Sequence, residues 1–233
     1  MRKDLVKLVV FSDVHGNAMA LRAMLGSQEV KSADGIFFLG DAVGYYFDEL
    51  DVITLLQGIP KLFAVQGNHD AYYQKEMSEI ERCKLVQKYG PCYDRKDKRI
   101  TSYLSKLPLQ GQLQIANRSI YFCHGSPTNP LEGRIYPDKD IKVQDCVADI
   151  ILCGHTHYRM CRNEQGNLFI NPGSLGQPRD GNGFSFCTLI LETQKVQVDF
   201  HTVFIDIEQL EYECVQRVGA NYYGYTVLKR NEA

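Results

Sequence analysis

The feature that most constrains the fold is where the potential cation ligands stand relative to the apolar runs. Side chains at i and i+2 of an extended chain point the same way, so Asp13 and His15 could bind one ion. In sheets of parallel character, binding sites form outside the carboxyl ends of the strands. The sequence therefore predicts that five segments converge in one crevice, because a candidate ligand follows each of the runs KLVVF (7–11), GIFFL (35–39), KLFAV (61–65), SIYFC (119–123) and DIILC (149–153).

The rhythm of these runs predicts an α/β fold that changes character near Gln110. KLVVF leads into a helical pattern at 17–25 capped by Asn17, and the next two runs each precede a helical stretch, the first near 47–57. This βαβ spacing implies parallel pairing with right-handed crossovers. Beyond Gln110, strand follows strand, and we expect antiparallel hairpins joined by Ala-Asn, Gln-Gly-Asn and Thr-Gln turns, then a helix around 207–218.

Length and composition are those of a globular protein with one large domain over 1–233. Apolar residues make up 44% and charged residues 23% of 233 residues, with a net charge of −2, which argues against an extended contact with nucleic acid. The basic strip 94–99 could make a local contact or be a solvated loop. The N-terminus reads as a strand, and no apolar run approaches the roughly 18 residues of a membrane span, so we expect a soluble protein.

Two segments stand apart from this core. The Glu- and Lys-rich stretch 71–108 has no strand character and is predicted to be a helical insertion over one edge. A C-terminal helix and tail are expected at about 206–233. The eight cysteines contain no Cys-x-x-Cys pair and lie mostly in apolar runs, which favours free thiols and a cytoplasmic location.

The candidate ligands comprise two aspartates, one asparagine and four histidines, without a thiolate. Such a set suits Mn, Fe, Zn or Ni and exceeds what one ion needs. If Asp41 bridges two ions, one could be held by Asp13, His15 and His157, and the second by Asn68, His124 and His155. Two metals about 3.5–4 Å apart stabilise the attacking and leaving oxygens of a displacement at phosphorus. The ligand set therefore predicts phosphoester chemistry.

In chain order these motifs resemble those of the calcineurin-like metallophosphoesterases. The family's D-x-H, G-D, G-N-H-D, H and G-H-x-H motifs correspond to Asp13-Val14-His15, Gly40-Asp41, Gly67-Asn68-His69-Asp70, His124 and Gly154-His155-Thr156-His157. The stretches FSDVHGN, LGDAVGYY, VQGNHD, CHGSPTNPL and INPGSLGQPRDG look like the compact bacterial and archaeal branch, which includes small phosphodiesterases and proteins related to diadenosine tetraphosphatases. The resemblance implies a four-layer α/β/β/α sandwich with mixed sheets and a dinuclear site between the sheet ends.

The resemblance also implies roles for individual residues. Asp13, His15, Asp41 and His157 would bind one metal, and Asp41, Asn68, His124 and His155 the other. His69 would be the general acid, oriented by Asp70. A metal-bridging hydroxide would then hydrolyse a phosphodiester or phosphomonoester, expected to be a small molecule or a nucleotide.

Substrate contacts are expected from Asn68, His69, Arg179 and Tyr46. Arg179 could bind a phosphate oxygen or pair with Asp180. Tyr46 lies in a Tyr-Tyr-Phe run directly after a metal motif, as does the Tyr72-Tyr73 pair, so these rings could stack a nucleobase or pack beneath the insertion.

Two other functions fit the same resemblance. A retromer subunit of this family uses the fold for protein contacts and lacks the catalytic histidine, whereas His69 is present here. A protein phosphatase would use the same metal ligands. The His-x-His-x-Asp-His run of β-lactamase-like zinc enzymes is absent. The sequence leaves open the metal identity, the choice between monoester and diester, and the oligomeric state.

Overall fold

The computed structural model describes residues 5–141 and 148–219. In these residues the chain forms strands and helices in alternation up to residue 104 and mostly strands thereafter. In chain order the elements are β1 (Leu5–Phe11), α1 (Ala18–Leu25), α2 (Gln28–Lys31), β2 (Gly35–Phe38), α3 (Glu49–Gln57), β3 (Leu62–Ala64), α4 (Asn68–Gln74), α5 (Glu79–Tyr89), a 3₁₀ helix (Pro91–Asp94), α6 (Lys98–Leu104), β4 (Gln110–Ile115), β5 (Arg118–Cys123), β6 (Ile150–Leu152), β7 (Arg159–Glu164), β8 (Asn167–Pro172), β9 (Ser185–Glu192), β10 (Val196–Thr202) and α7 (Ile207–Val218).

The strands form two five-stranded mixed sheets. The first has the order β10-β9-β1-β2-β3, and β1, β2 and β3 are parallel, as the βαβ spacing predicts. The second has the order β4-β5-β6-β8-β7, with β5, β6 and β8 parallel. Antiparallel strands complete both sheets: β9 and β10 in the first, β4 and β7 in the second.

The predicted hairpins are found at three places, but the prediction is wrong for the run DIILC. The strand pairs β4-β5, β7-β8 and β9-β10 are antiparallel neighbours. Strand β6 instead lies parallel between β5 and β8. A parallel pair needs a long crossover, and the segment 124–149 between β5 and β6 supplies it. As a result, His124 and His155 leave their strands at the same edge of the sheet.

Both faces of the first sheet are buried at β1, which explains the apolar run of residues 8–11 in this strand. Val9 and Phe11 pack on the helical side, in a cluster that includes residues of α1, α3, α6 and α7. Leu8 and Val10 point the other way and pack against residues of the second sheet, such as Ile120 of β5. The sheets therefore share one apolar interface, and the helices cover the outer face of the first sheet.

The outer face of the second sheet has its own apolar cluster. Tyr121, Ile151 and Phe169 pack there with Ile135 and Ala148 of the crossover segment. The layers are therefore helices, sheet, sheet and crossover chain, and the predicted mixed α/β sandwich is confirmed. The described part of the crossover contains no helix.

The polar stretch 71–108 contains the end of α4, then α5, the 3₁₀ helix and α6, all without a strand. Within the basic strip 94–99, Asp94 pairs with Arg82, and Arg99 pairs with Asp97. The seven described cysteines are free thiols; Cys146 and the tail from residue 220 onward lie outside the described residues. None of the helices in the described ranges has the length and apolar content of a membrane span.

Candidate metal centre

The seven predicted ligands surround one space at the carboxyl ends of the parallel strands. Three groups of three have ligand atoms within 4.8 Å of one another: Asp13, His15 and His157; Asp41, His124 and His155; and His15, Asp41 and His69. The first two groups belong to the two ligand sets predicted from the sequence. The seventh residue joins the second set, because Oδ1 of Asn68 lies 3.0 Å from Nε2 of His124.

In both Asp13 and Asp41, one carboxylate oxygen accepts a hydrogen bond and the other has no hydrogen-bond partner. Oδ2 of Asp13 accepts a hydrogen bond from the His155 amide (3.1 Å), and Oδ1 of Asp41 accepts one from the His69 amide (2.8 Å). Oδ1 of Asp13 and Oδ2 of Asp41 are fully buried and have no hydrogen-bond partner. An unsatisfied buried acceptor is unfavourable, more so when it carries charge. A cation between these two oxygens would satisfy both, so the site fits metal ions.

The imidazoles are held by their other ring nitrogen, as metal-binding histidines usually are. Nδ1 of His124 lies 2.7 Å from the Leu39 carbonyl, and Nδ1 of His157 lies 2.6 Å from the Gln177 carbonyl. His15 makes the same kind of contact at 3.1 Å. A carbonyl can only accept, so Nδ1 carries a proton and Nε2 is the nitrogen directed at the centre. Those Nε2 atoms face the unpartnered oxygens: His157 lies 3.2 Å from Oδ1 of Asp13, and His124 lies 3.3 Å from Oδ2 of Asp41.

His155 uses its two ring nitrogens in the opposite way, with Nε2 making the outer hydrogen bond and Nδ1 facing the other candidate ligands. Its Nε2 accepts a hydrogen bond from Nε of Arg134 (3.1 Å), and its Nδ1 lies 3.2 Å from Nε2 of His124. His155 therefore presents Nδ1 to the centre. The sequence pattern did not single out Arg134, whose exposed guanidinium stands at the edge of the site.

The backbone of the candidate ligands is itself unusual. Left-handed φ values are uncommon for residues other than glycine, and strained backbone clusters at functional sites. Five of the ten non-glycine residues with positive φ in the described ranges are candidate ligands, namely Asp13 (55°), His15 (53°), Asp41 (63°), His155 (65°) and His157 (65°). Main-chain bonds between the ligand loops hold this geometry, such as the Asp13 amide to the Gly40 carbonyl (3.0 Å) and the His15 amide to the Asp41 carbonyl (2.9 Å).

The glycines of the motifs allow these loops to pack on one another. A Cβ added at Gly67 would lie 2.0 Å from Oδ1 of Asp41, and one at Gly154 would lie 2.1 Å from Oγ of Ser12. Both distances are far below van der Waals contact. The sequence pattern suggested that glycine lets backbone approach an ion; the structure shows that it brings one ligand loop against the next.

The site attracts positive charge. Burial opposes the charged form of His124, yet the carboxylates of Asp41 and Asp13 raise its pKa to about 10. Burial likewise favours a neutral Asp41, but the imidazoles of His124 and His69 hold the pKa of its carboxyl well below its usual range. Burial lowers the pKa of His15 to about 4, so this ring is neutral at pH 7. A metal ligand must be the neutral imidazole, so a cation bound here would displace the proton that the two carboxylates hold on His124.

His69 lies at the same site, but the partner predicted for it is wrong. The carboxylate of Asp70 accepts hydrogen bonds from the backbone amides of Asp41, Ala42, Val43 and Gly67, at 2.8–3.3 Å, and so holds the metal-motif loops together. The His69 ring is instead held by Tyr93, whose Oη lies 2.6 Å from Nδ1. The residue type at position 70 was compatible with both roles, and only the direction of its side chain separates them.

The substrate contacts predicted for Tyr46 and Arg179 have different outcomes. Tyr46 is only 1% exposed and belongs to the apolar cluster on the helical side, so its ring does not offer a face to a nucleobase. Its neighbour Tyr45 contacts the site instead, with its ring centroid 4.7 Å from that of His15. Arg179 is exposed, and Asp180 pairs with Arg159 (2.9 Å). Arg179 therefore stays a candidate phosphate contact.

Two partly buried tyrosines flank His69 on its outer side. The ring of Tyr89 stands edge-on at 4.5 Å between centroids, and the ring of Tyr72 lies at 5.8 Å. The Tyr72 hydroxyl donates a hydrogen bond to Glu132. These side chains and Arg134 form the border between the buried centre and solvent.

Several known proteins are similar to this chain in sequence or in fold. MJ0912 of Methanocaldococcus jannaschii is 31% identical over 87% of this chain and 89% of that protein. The phosphodiesterase YfcE of Escherichia coli is 22% identical, over 78% of this chain and 86% of YfcE. A metallophosphoesterase structure from Sphaerobacter thermophilus superposes with a TM-score of 0.72 at 25% identity, covering 97% of this chain and 99% of that one. PH1004 of Pyrococcus horikoshii OT3 has the same fold, with a TM-score of 0.78 at 20% identity over 94% and 98% of the two chains.

The family assignment rests on sequence and geometry together. The calcineurin-like phosphoesterase superfamily domain matches residues 6–194, which contain every candidate ligand. The matched region also contains both sheets up to the end of β9. The chain belongs to the calcineurin-like phosphoesterase superfamily.

Proposed function

We propose that this protein hydrolyses a phosphoester of a small molecule or nucleotide at a centre of two metal ions. The observation that carries the proposal is the pair of buried carboxylate oxygens without partners, Oδ1 of Asp13 and Oδ2 of Asp41, each facing imidazole nitrogens. Membership of the phosphoesterase superfamily supports the class of reaction. The similarity to YfcE, a phosphodiesterase, supports a diester substrate.

In this proposal Asp13, His15, Asp41 and His157 hold one metal, and Asp41, Asn68, His124 and His155 hold the other. Bound there, the two ions would lower the pKa of a water molecule towards neutrality and offset the charge of the phosphate. The carbonyls of Leu39, Val43 and Gln177 keep three of the imidazoles in the tautomer that binds metal. The chain itself supplies the orientation of every ligand.

His69 supplies the proton in this proposal. A hydroxide, formed from water by loss of one proton to solvent, attacks phosphorus, and the bond from phosphorus to the leaving oxygen breaks. The leaving oxygen takes a proton from the His69 ring, which regains one from solvent. Nδ1 is engaged by Tyr93, so Nε2 is the nitrogen that gives this proton. Ligand atoms of His15, Asp41 and His69 lie within 4.8 Å of one another, which supports this role for the ring.

The border of the site favours a compact substrate. Arg134 supplies a positive charge next to His155, and Tyr72 and Tyr89 supply aromatic surface beside His69. Arginine suits a phosphate oxygen, and an aromatic ring suits an apolar or nucleobase leaving group. This combination supports a small-molecule or nucleotide phosphoester.

The test is hydrolysis by metal-free protein that has been reconstituted separately with Mn, Ni, Zn, Co and Fe. Bis(p-nitrophenyl) phosphate and p-nitrophenyl phosphate are compared, with bound metal counted in each sample. Metal-dependent turnover that is lost in Asp41→Asn supports the proposal, and a preference for the diester identifies a phosphodiesterase. Two bound metals without turnover of either ester would favour a binding scaffold, and no bound metal would overturn the proposal.

A further inference from the structure

The contact between His69 and Tyr93 involves two side chains that are almost fully enclosed. His69 is 5% exposed and Tyr93 is 1% exposed, and the distance from Nδ1 to Oη is 2.6 Å. Tyr93 lies on the 3₁₀ helix Pro91–Asp94, within the helical stretch 71–108. A short hydrogen bond without competing water fixes the rotation of the imidazole ring.

Gly44 makes this contact possible. Its φ is +98°, a conformation that glycine adopts readily and other residues avoid. A Cβ at this position would lie 2.7 Å from Nδ1 of His69 and 3.0 Å from Oη of Tyr93. Any larger residue would therefore push the ring and the phenol apart. At Gly44, the loop between β2 and α3 (the metal-motif loop) therefore packs against the helical stretch 71–108 too closely for a larger residue.

We propose that Tyr93 is the positioning residue of His69, an inference that rests on the proposed function. The phenol oxygen can accept a hydrogen bond from Nδ1–H, and its O–H can donate to an unprotonated Nδ1. The ring keeps the same orientation in both states, with Nε2 directed to the leaving oxygen. During the reaction the proton moves from Nε2 to that oxygen, and Tyr93 neither gains nor loses one.

In this proposal the helical stretch 71–108 contributes to catalysis by orienting His69. Tyr89 at the end of α5 also contacts the site: its carbonyl accepts a hydrogen bond from the Tyr45 amide (2.5 Å), and its ring lies edge-on to His69. Tyr89 and Tyr93 thus attach the α5 end and the 3₁₀ helix to the metal-motif loop. Their effect on the reaction is exerted through the orientation of His69.

The test uses Tyr93→Phe, which removes the hydroxyl and keeps the ring. A positioned general acid matters more when the leaving group is a poor one, and it contributes about 10²–10⁴-fold. We expect turnover of a poor-leaving-group diester to fall roughly 10-fold to 100-fold, a part of that contribution. Turnover of bis(p-nitrophenyl) phosphate, which needs little protonation, changes much less. Equal losses with all esters would overturn the inference.

Tyr73→Phe is the matched control. Its hydroxyl also joins the chain near the 3₁₀ helix, since it donates to the Arg95 carbonyl (3.2 Å) and accepts from the Asp97 amide (2.6 Å). It has no hydrogen bond to His69 among these contacts. A variant that merely loosens this region would affect all esters alike, whereas loss of positioning changes the dependence on the leaving group.

Two further measurements separate this inference from the proposed function. In a His69→Ala background, adding Tyr93→Phe should cause no further loss, because Tyr93 acts only through His69. The ¹⁵N resonances of the His69 ring should shift in Tyr93→Phe and stay unchanged in Tyr73→Phe, whether or not an ester is turned over. Unshifted resonances overturn the positioning role, while absent metal binding overturns the proposed function.

Discussion

Nε2 of His124 lies 3.3 Å from Oδ2 of Asp41, and this short distance connects the two sheets at the centre of the site. Asp41 follows β2 of the first sheet, and His124 follows β5 of the second. Neither sheet alone contains a complete set of ligands. The apolar interface between the sheets therefore controls the geometry of the candidate metal centre, because a shift of one sheet against the other would separate the two groups of candidate ligands.

Replacing Asp41 by Asn should weaken metal binding by at least about 100-fold, since even changes in partners of metal ligands cost 10–100-fold. Asp41 is common to both proposed ligand sets, so both metals are affected. Metal analysis after dialysis measures the effect. Asp51→Asn is the control, because Asp51 is half-exposed and pairs with Arg22 away from the site. Two tightly bound metals in Asp41→Asn would contradict the assignment.

Replacing His69 by Ala should lower turnover of a poorly activated ester by about 10²–10⁴-fold while both metals stay bound. The reason is that His69 donates the proton in the proposed function and belongs to neither proposed ligand set. Steady-state rates and metal content are measured on the same samples. Loss of metal from this variant would instead identify His69 as a ligand.

Replacing Gly67 by Ala should disrupt the site although its φ of −94° suits any residue. The obstacle is steric, because the new Cβ would meet Oδ1 of Asp41 at 2.0 Å. We expect loss of metal binding and a drop in unfolding free energy of roughly 1–3 kcal/mol, typical of overpacking. Gly26→Ala is the control, since its Cβ would have only ordinary contacts at 3.5 Å. Equal melting temperatures for the two variants would contradict this account.

The positions of the ligands could be predicted because they depend on a local pattern. An apolar run followed by Asp, Asn or His identifies the end of a buried strand, and parallel strands bring those ends together. The direction of β6 could not be predicted, because an apolar strand has the same alternation in both directions. It depends on the crossover 124–149, in which no regular pattern is visible.

The partner of His69 was beyond the reach of the sequence for a different reason. Tyr93 lies in a polar stretch without periodicity, so nothing in the pattern places it next to a metal motif. The sequence likewise could not predict which ring of the Tyr45-Tyr46-Phe47 run contacts the site. Tyr45 has a φ of 59°, and its ring contacts His15, while the ring of Tyr46 packs in the core. The sequence pattern does not distinguish between such adjacent aromatic residues.

Replacing Arg134 by Gln should raise KM more than it lowers kcat. The guanidinium of Arg134 can only donate hydrogen bonds, so Nε2 of His155 is the acceptor in the contact between these two side chains. An imidazole that binds a metal through Nδ1 carries its proton on Nε2, so metal binding would free Arg134 to contact phosphate. We expect KM to rise roughly 10-fold, the value of a charged hydrogen bond. Arg179→Gln is assayed in parallel, and a larger effect there would assign the phosphate contact to Arg179.

Glu49 gives a prediction about stability and pH that is independent of the metal centre. It stands in the first turn of α3, and its Oε1 is buried without a hydrogen-bond partner. Burial raises its pKa from 4.5 to about 7. Because the pKa is higher in the folded state than in the unfolded state, ionisation of Glu49 destabilises the fold. This cost is absent below pH 4.5, grows as pH rises, and is complete above about pH 7.

Glu49→Gln removes this ionisation. The stability of the variant relative to the natural protein should therefore increase between pH 5 and pH 8, by at most about 3 kcal/mol. Thermal unfolding of the metal-free proteins at both pH values measures it. Glu208→Gln is the control, because Glu208 occupies the first turn of α7 but is exposed. A pH-independent difference for Glu49→Gln would show that this carboxyl is solvated in the folded protein.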